Sequence, residues 1–117
     1  MIRQENELGA ITIESNVYRN IAGLAASNCF GVKGMAARSR NDGLIYLLRR
    51  ESANKGVSVT FHEDDTITID LHIMVDHGVN IPVVSSSIIN EVSYNVTKST
   101  GTTVKAVKVH VDSVMVD

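Results

Sequence analysis

Apolar and polar residues alternate along several segments of the chain, and this period of two predicts β-strands. The clearest pair lies in the middle of the chain, where Val57–Phe61 and Ile67–Val75 place apolar side chains at every second position. Between them, Glu63-Asp64-Asp65 predicts the turn of a hairpin. A shorter stretch, Gly9–Glu14, alternates in the same way. Each segment predicts a strand with one apolar face and one polar face.

A further strand is predicted near the C-terminus, where valines alternate with polar residues in the order Val107, Lys108, Val109, His110, Val111 and Asp112. Val104 is out of phase with this set of valines. We therefore expect a β-bulge, or a late start of the strand, near Lys105-Ala106.

Two other segments have the spacing of amphipathic helices. Ser15 can cap the first helix, which should end near Cys29 with Gly31 at or just past its last turn. Pro82 fits the first turn of the second helix, and Gly101 should end it. The apolar stripe of the second helix comprises Val84, Ile88, Ile89, Val92 and Val96.

The remaining segments have weaker patterns. Met35–Ser39 fits a strand or a turn. Asn41-Asp42 can cap a short helix that fades before Gly56 and carries Leu44, Ile45, Leu47 and Leu48. The polar residues 1–7 are expected to form a flexible N-terminus.

This order of elements predicts the α+β class and a single small domain over residues 1–117. We expect a mixed β-sheet of four to five strands, including the central hairpin, with two main helices on one face plus one short helix. A chain of 117 residues buries roughly two-thirds of its unfolded surface and needs no metal or disulfide to fold. Cys29 is the only cysteine, which excludes an intrachain disulfide and a four-cysteine metal site.

Composition narrows the choice of partners. The hydrophobic fraction of 44% and the charged fraction of 21% are typical of soluble globular proteins. A formal net charge of −2 provides no overall attraction to nucleic acid or to anionic membranes. The polar start lacks the apolar core of a signal peptide, and no apolar run has the length of a membrane span. We therefore expect a cytoplasmic protein without direct membrane insertion.

One face of the predicted sheet carries histidines and charged residues, namely His62, Asp70, His72, Lys108 and His110, with Asp112 nearby. Three imidazoles beside carboxylates could bind a transition metal. However, no two of them have close helical spacing, and the strand order is not known from the sequence. We expect solvated polar positions, or a face covered by another subunit, and we predict no metal site.

The sequence contains no convincing catalytic group. Cys29 lies at a helix C-terminus in an apolar neighbourhood, which favours an inert thiol. Ser85-Ser86-Ser87 lacks the G-x-S-x-G setting of a nucleophilic serine. We predict that the protein is not an enzyme, with no catalytic residue and no cofactor.

Basic residues are concentrated in one segment. Six of the eleven lie within residues 33–55, namely Lys33, Arg38, Arg40, Arg49, Arg50 and Lys55. One interpretation is an anion- or RNA-binding module that uses the first five. The other is that Arg49 and Arg50 merely favour the C-terminal end of their helix. Because few aromatic residues are interleaved for base stacking, nucleic acid is not the expected partner.

Gly31-Val32-Lys33-Gly34 has the G-x-x-G spacing of the loop that contacts nucleotides in KH domains. In a KH module this loop joins two helices, whereas the residues after Gly34 are too polar and too interrupted to form such a helix. We predict a helix stop at Gly31 and a chain entering a weak strand at Gly34.

The order and spacing of several short motifs over nearly the full chain resemble the alkaline shock proteins, the Gls-type envelope stress response proteins of Gram-positive bacteria. These motifs are Gly9–Ile13, Ala25–Met35, Asp42–Leu44, Leu47–Glu51, Lys55–Val59, Ile69–Val75, Gly78–Pro82, Thr100-Gly101 and Val107–Val111. The Asp42-Gly43-Leu44 insert is similar to the small subgroup without long tails, which is often encoded beside a dihydroxyacetone-kinase-like protein.

The resemblance implies a non-enzymatic interaction or scaffold protein of the envelope stress response, with no site residues to carry over. Larger members of the family are cytoplasmic and collect at the membrane through a small membrane-anchoring partner. We therefore expect protein partners, among them a membrane-anchoring protein or the kinase-like neighbour. Because an open sheet face or an exposed edge strand commonly recruits another chain, we also expect a homo-oligomer.

Overall fold

The computed structural model describes residues 1–39 and 43–116. Within them the strands are β1 (Ile2–Asn6), β2 (Gly9–Ile13), β3 (Val32–Arg38), β4 (Ile45–Leu47), β5 (Val57–Phe61), β6 (Thr66–Asp76) and β7 (Thr103–Met115). The helices are α1 (Ser15–Ser27), a 3-10 helix (Arg50–Gly56) and α2 (Ile81–Thr100). The predicted α+β class, with a mixed sheet and two main helices plus a short one, is confirmed.

Strand β6 is the centre of a five-stranded sheet. On one side β7 runs parallel to it from Thr66 to Asp76, so that β6, α2 and β7 form a βαβ unit. On the other side two antiparallel strands share the edge of β6 end to end, with β5 beside residues 67–71 and β3 beside residues 73–75. Strand β4 extends the sheet beyond β3. Within the described residues β7 pairs with β6 alone and is therefore an edge strand.

The core lies between one face of this sheet and the two α-helices. The alternating apolar residues of β6 are completely buried, namely Ile67, Ile69, Leu71, Ile73 and Val75. Helix α2 contributes Val84, Ile88, Val92 and Val96, and α1 contributes Tyr18, Ala22 and Ala26. Burial of each large apolar side chain stabilises the fold by about 1.5–3 kcal/mol, so that this face is the main source of stability.

The ends of α2 follow the signals in the sequence. The Asn80 side chain accepts a hydrogen bond from the backbone N–H of Val83, at 3.1 Å, and Pro82 lies in the first turn. Gly101 ends the helix in the left-handed conformation, with φ of 73°. Helix α2 therefore begins and ends where the sequence predicts.

Small residues allow α1 to lie against the 3-10 helix. A Cβ atom at Gly23 would stand 3.1 Å from the carbonyl oxygen of Ala53. Because that contact involves backbone, a larger residue would push the two helices apart. This contact aligns the 3-10 helix beside α1.

The bulge predicted near Lys105-Ala106 is confirmed. Ile67 pairs with Val104 and Thr68 pairs with Ala106, which leaves Lys105 as the extra residue. A second irregularity follows between Val111 and Ser113. After the first bulge the remaining valines face the core, in agreement with their phase in the sequence.

The expectation of a flexible N-terminus over residues 1–7 requires correction. Ile2–Asn6 forms β1, which pairs with β2 in a separate two-stranded hairpin. Ile2 is buried in the core, and the Gln4 side-chain amide donates to the Thr100 carbonyl oxygen at 2.7 Å. These two contacts anchor a hairpin whose tip, at Leu8, is almost fully exposed.

The predicted short helix over Leu44–Leu48 is wrong. Ile45–Leu47 is strand β4, paired antiparallel to β3, and the short helix follows it at Arg50–Gly56. Met35–Arg38, which fitted a strand or a turn, belongs to β3. The proposed caps Asn41 and Asp42 lie outside the described residues. Within residues 1–39 and 43–116, no helix has the length and apolar character needed to cross a membrane.

Candidate functional site

The polar face of the sheet lies opposite the helices and is called the open face here. It is formed by alternate side chains of β5, β6 and β7, namely Ser58, Thr60, Thr68, Asp70, His72, Met74, Lys108 and His110, together with Asp112 at the second irregularity of β7. Alternation places these side chains away from the core residues between them. The sequence prediction of a polar face therefore describes a continuous surface on three neighbouring strands.

Two histidines stack at the centre of the open face. His72 on β6 is directly opposite His110 on β7, and their ring centroids are 4.6 Å apart at an interplanar angle of 13°. Nδ1 of His72 lies 3.0 Å from an Asp112 carboxylate oxygen, and Nε2 of His110 lies 3.0 Å from Asp70. Since a carboxylate accepts hydrogen bonds, each of these ring nitrogens donates. We call these four residues the histidine quartet.

The quartet is an ordered but accessible polar cluster. The histidine side chains are 41% and 44% exposed, and the carboxylates hold each ring from one side. Such second partners orient an imidazole and select its tautomer. The quartet therefore presents two rings in defined orientations to any molecule that covers this face.

The other predicted residues of the open face stay apart from the quartet. Nε2 of His62 pairs with the Thr68 hydroxyl at 2.7 Å, near the start of β6. Lys108 is opposite Asp70 in the strand register. Among the described residues, no three histidine, cysteine or acidic side chains come together in a way that could hold a metal ion.

Part of the basic segment converges on one cleft, called the basic cleft here. Lys33 on β3 and Arg49 and Arg50 at the start of the 3-10 helix line it, next to the C-terminus of α1. Its volume is about 110 Å³, and its other lining residues are Ser27, Gly34, Met35, Leu48 and Ala53. The Arg50 guanidinium donates to the Asn28 side-chain oxygen at 3.0 Å.

The remaining basic residues are elsewhere. Arg38 donates to the Gly43 carbonyl oxygen at 2.8 Å and, with Lys55, borders a depression on the open face beside His72. Arg40 lies outside the described residues. The structure thus brings together three of the five residues in the predicted anion surface, across two elements that sequence spacing alone does not connect.

Cys29 has the environment of an unreactive thiol. Its Sγ atom donates to the Ala25 carbonyl oxygen at 3.4 Å. Burial, with a further contribution from the Glu91 carboxylate, raises the pKa of the Cys29 thiol. A raised pKa reduces the thiolate fraction, which is the nucleophilic form.

Strand β7 also presents its free edge beside the quartet. The strand has thirteen residues, and His110 and Asp112 lie on it. An exposed edge of this length offers backbone N–H and C=O groups that can pair with another strand. The open face and this edge are therefore continuous.

Comparison with known proteins identifies the family. Residues 3–116 match the model of the alkaline shock protein 23 family, described as having a cell envelope-related function. YloU of Bacillus subtilis is 35% identical over 116 residues, which are 98% of this chain and 96% of YloU. Spy1614 of Streptococcus pyogenes is 35% identical over 92% of this chain and 89% of its own length, and YqhY of B. subtilis is 30% identical over 100% and 85%. No solved structure matches significantly. The chain belongs to the alkaline shock protein 23 family, the family of cell envelope-related function that the motifs in the sequence resemble.

Proposed function

We propose that this protein is a non-enzymatic, cytoplasmic interaction protein of the cell envelope, and that a second copy of itself pairs with the free edge of β7. The observation that carries the proposal is the thirteen-residue edge strand, which has no partner beyond β6 among the described residues. Isolated edges of this length are normally blocked or paired. Pairing two copies would join their sheets into one continuous sheet.

The side chains of β7 favour an antiparallel pair related by a two-fold axis. In an antiparallel pair, two directly opposed residues point to the same face of the sheet. To keep Val107, Val109 and Val111 on the core side in both copies, odd-numbered residues of one copy must therefore oppose odd-numbered residues of the other. A register centred on Lys108 would oppose two lysines, which is destabilising. A register centred on His110 instead opposes Lys108 to Asp112 of the second copy, and Val109 to Val111.

Charge exchange tests this register. Lys108→Glu alone would oppose two acidic residues, and Asp112→Lys alone would oppose two lysines. Each variant should therefore weaken self-association, by roughly 0.2–1 kcal/mol for each of the two symmetric pairs. An equimolar mixture of the two variants restores opposite charges at both pairs and should associate as a heterodimer.

Sedimentation equilibrium over a concentration series measures the association of each sample. Lys98→Glu provides a control with the same change in charge, since Lys98 is exposed on the last turn of α2 and is not part of β7. A monomeric wild-type protein at the highest concentration contradicts the proposal. A mixture that associates no better than the two separate variants contradicts the register.

The partners implied by the family resemblance belong to the same proposal. A small membrane-anchoring protein would bring the protein to the cytoplasmic membrane, and the dihydroxyacetone-kinase-like neighbour is a second candidate. Binding of either purified protein to wild type, with Lys108→Glu as the comparison, tests whether it competes for the β7 edge. Unchanged binding by that variant would place the partner on another surface.

A further inference from the structure

We propose that the basic cleft binds the phosphate group of a phosphate monoester. The proposal goes beyond the interaction function and does not depend on it, since the cleft and the β7 edge lie on opposite sides of β6. Three cationic side chains line a space of about 110 Å³. They come from β3 and from the residues that open the 3-10 helix.

Among the described residues, the positive charge in the cleft has no carboxylate partner. The ion pairs among the residues that the structure describes are Arg3–Glu5, His72–Asp112 and His110–Asp70. None involves Lys33, Arg49 or Arg50, and Arg50 donates to a neutral side chain, that of Asn28. Three like charges around a small space repel one another, and a bound anion would relieve that repulsion.

The negative end of the α1 dipole explains only part of this arrangement. Asn28 caps that end, and its bond to Arg50 holds one cation beside the last turn of the helix. Lys33 instead belongs to β3 and Arg49 precedes the 3-10 helix, so neither is part of the last turn of a helix. These two cations remain available to a ligand.

The size and lining of the cleft select the class of anion. Sites for drug-sized ligands occupy roughly 300–1,000 Å³, so this cleft suits a single charged group. Guanidinium groups bind phosphate through paired N–H donors, and lysine adds a point charge. The lining contains no aromatic residue, although stacking on aromatic side chains is the usual basis of single-stranded RNA binding. A phosphate monoester therefore fits better than RNA.

Phosphate monoesters occur both in small soluble metabolites and in the headgroup of phosphatidic acid. Three probes, each added to the ¹⁵N-labelled protein, distinguish these two sources: phenyl phosphate, phosphatidylcholine vesicles, and the same vesicles containing phosphatidic acid. We expect saturable amide shifts at Ser27, Lys33 and Leu48 with phenyl phosphate. Binding only to the vesicles with phosphatidic acid assigns the monoester to a lipid.

Two double variants with the same change in net charge distinguish a specific phosphate site from general electrostatic attraction. Arg49→Gln/Arg50→Gln should weaken binding by about tenfold or more, because it removes charge-assisted hydrogen bonds. Lys98→Gln/Lys105→Gln changes the net charge equally, outside the cleft, and should bind like wild type. The single exposed variant Lys33→Gln provides an independent test if the double arginine variant is less stable.

Three results overturn the proposal. The first is the absence of a saturable shift with any phosphate probe. The second is an equal loss of affinity in the Lys98/Lys105 control, which indicates general attraction by net charge. The third is binding of an RNA oligonucleotide through the cleft without binding of phenyl phosphate or phosphatidic acid.

Discussion

Removal of one buried hydroxyl group, by Tyr18→Phe, should destabilise the fold measurably. Tyr18 is completely buried in α1, and its hydroxyl lies 2.7 Å from the hydroxyl of Thr102, which is 3% exposed. No described side chain has a buried polar atom without a partner. Tyr18→Phe would leave the Thr102 hydroxyl buried and without a hydrogen-bond partner, which should lower the free energy of unfolding by about 1–3 kcal/mol.

Thermal and urea unfolding measure this loss. For a domain of this size, each 1 kcal/mol corresponds to a fall in Tm of about 4 °C. The phenyl ring remains in the variant and keeps its edge-on contact with Phe61, at a centroid distance of 5.9 Å. The loss therefore reports the hydrogen bond rather than the packing of the ring.

A double-mutant cycle with Thr102→Val distinguishes this hydrogen bond from general strain. Thr102→Val alone leaves the tyrosine hydroxyl unsatisfied, whereas the double variant removes both polar groups. The double variant should therefore lose less stability than the sum of the single variants, by roughly 0.5–3 kcal/mol. Strictly additive losses would refute the reasoning, because they would mean that the two hydroxyl groups do not stabilise each other.

Two further predictions concern a glycine and a carboxylate. Gly31→Ala should destabilise the protein by about 1–3 kcal/mol in urea unfolding, because φ is +87° and the new Cβ would stand 2.9 Å from a methyl carbon of Val84. Gly78→Ala is the matched control, with φ of +85° and open space around it; equal losses in the two variants would contradict a role for the Val84 contact. Hydrogen bonds from the Thr66 hydroxyl and backbone N–H lower the pKa of Asp64 below that of an ordinary aspartate. Because the folded pKa is below the unfolded one, this stabilisation is present above the unfolded pKa and is lost as the pH falls through the folded pKa. The stability of Asp64→Ala should therefore differ from wild type near neutral pH and approach it in acid, and a constant difference would contradict the assignment.

Most of the fold could be predicted because the central elements obey one periodicity each. The alternation in β6 and the stripe on α2 have no competing pattern, and Asn80, Pro82 and Gly101 mark the ends of the helix. Strand β1 could not be predicted in this way. Only Ile2 in it is buried, so its pattern is that of a polar terminus, and its structure depends on pairing with β2.

The error over Leu44–Leu48 has a different cause. Apolar residues at 44, 45, 47 and 48 fit one face of a helix, and a short run of this kind is ambiguous. Pairing decides it, since Ala36, Ala37 and Arg38 offer an edge that Ile45–Leu47 completes. The same pairing brings Arg49 and Arg50 beside Lys33, so the basic cleft follows from a tertiary contact that the sequence did not reveal.

The histidine quartet depends on a single inserted residue in β7. At the start of the strand Thr66 pairs with Thr103, and continuing that register without a bulge would place Val109 opposite His72. The bulge at Lys105 shifts the register by one residue, which brings His110 opposite His72 and turns the valines toward the core. The valine that is out of phase in the sequence, Val104, is thus the signal for both effects. Deletion of Lys105 would place Ala106 directly after Val104, so that Thr68 would still pair with Ala106 and His72 with His110 in a strand without the first bulge. The valines would still face the core and the histidines would still stack, whereas insertion of a second residue at this point would turn the valines away from the core.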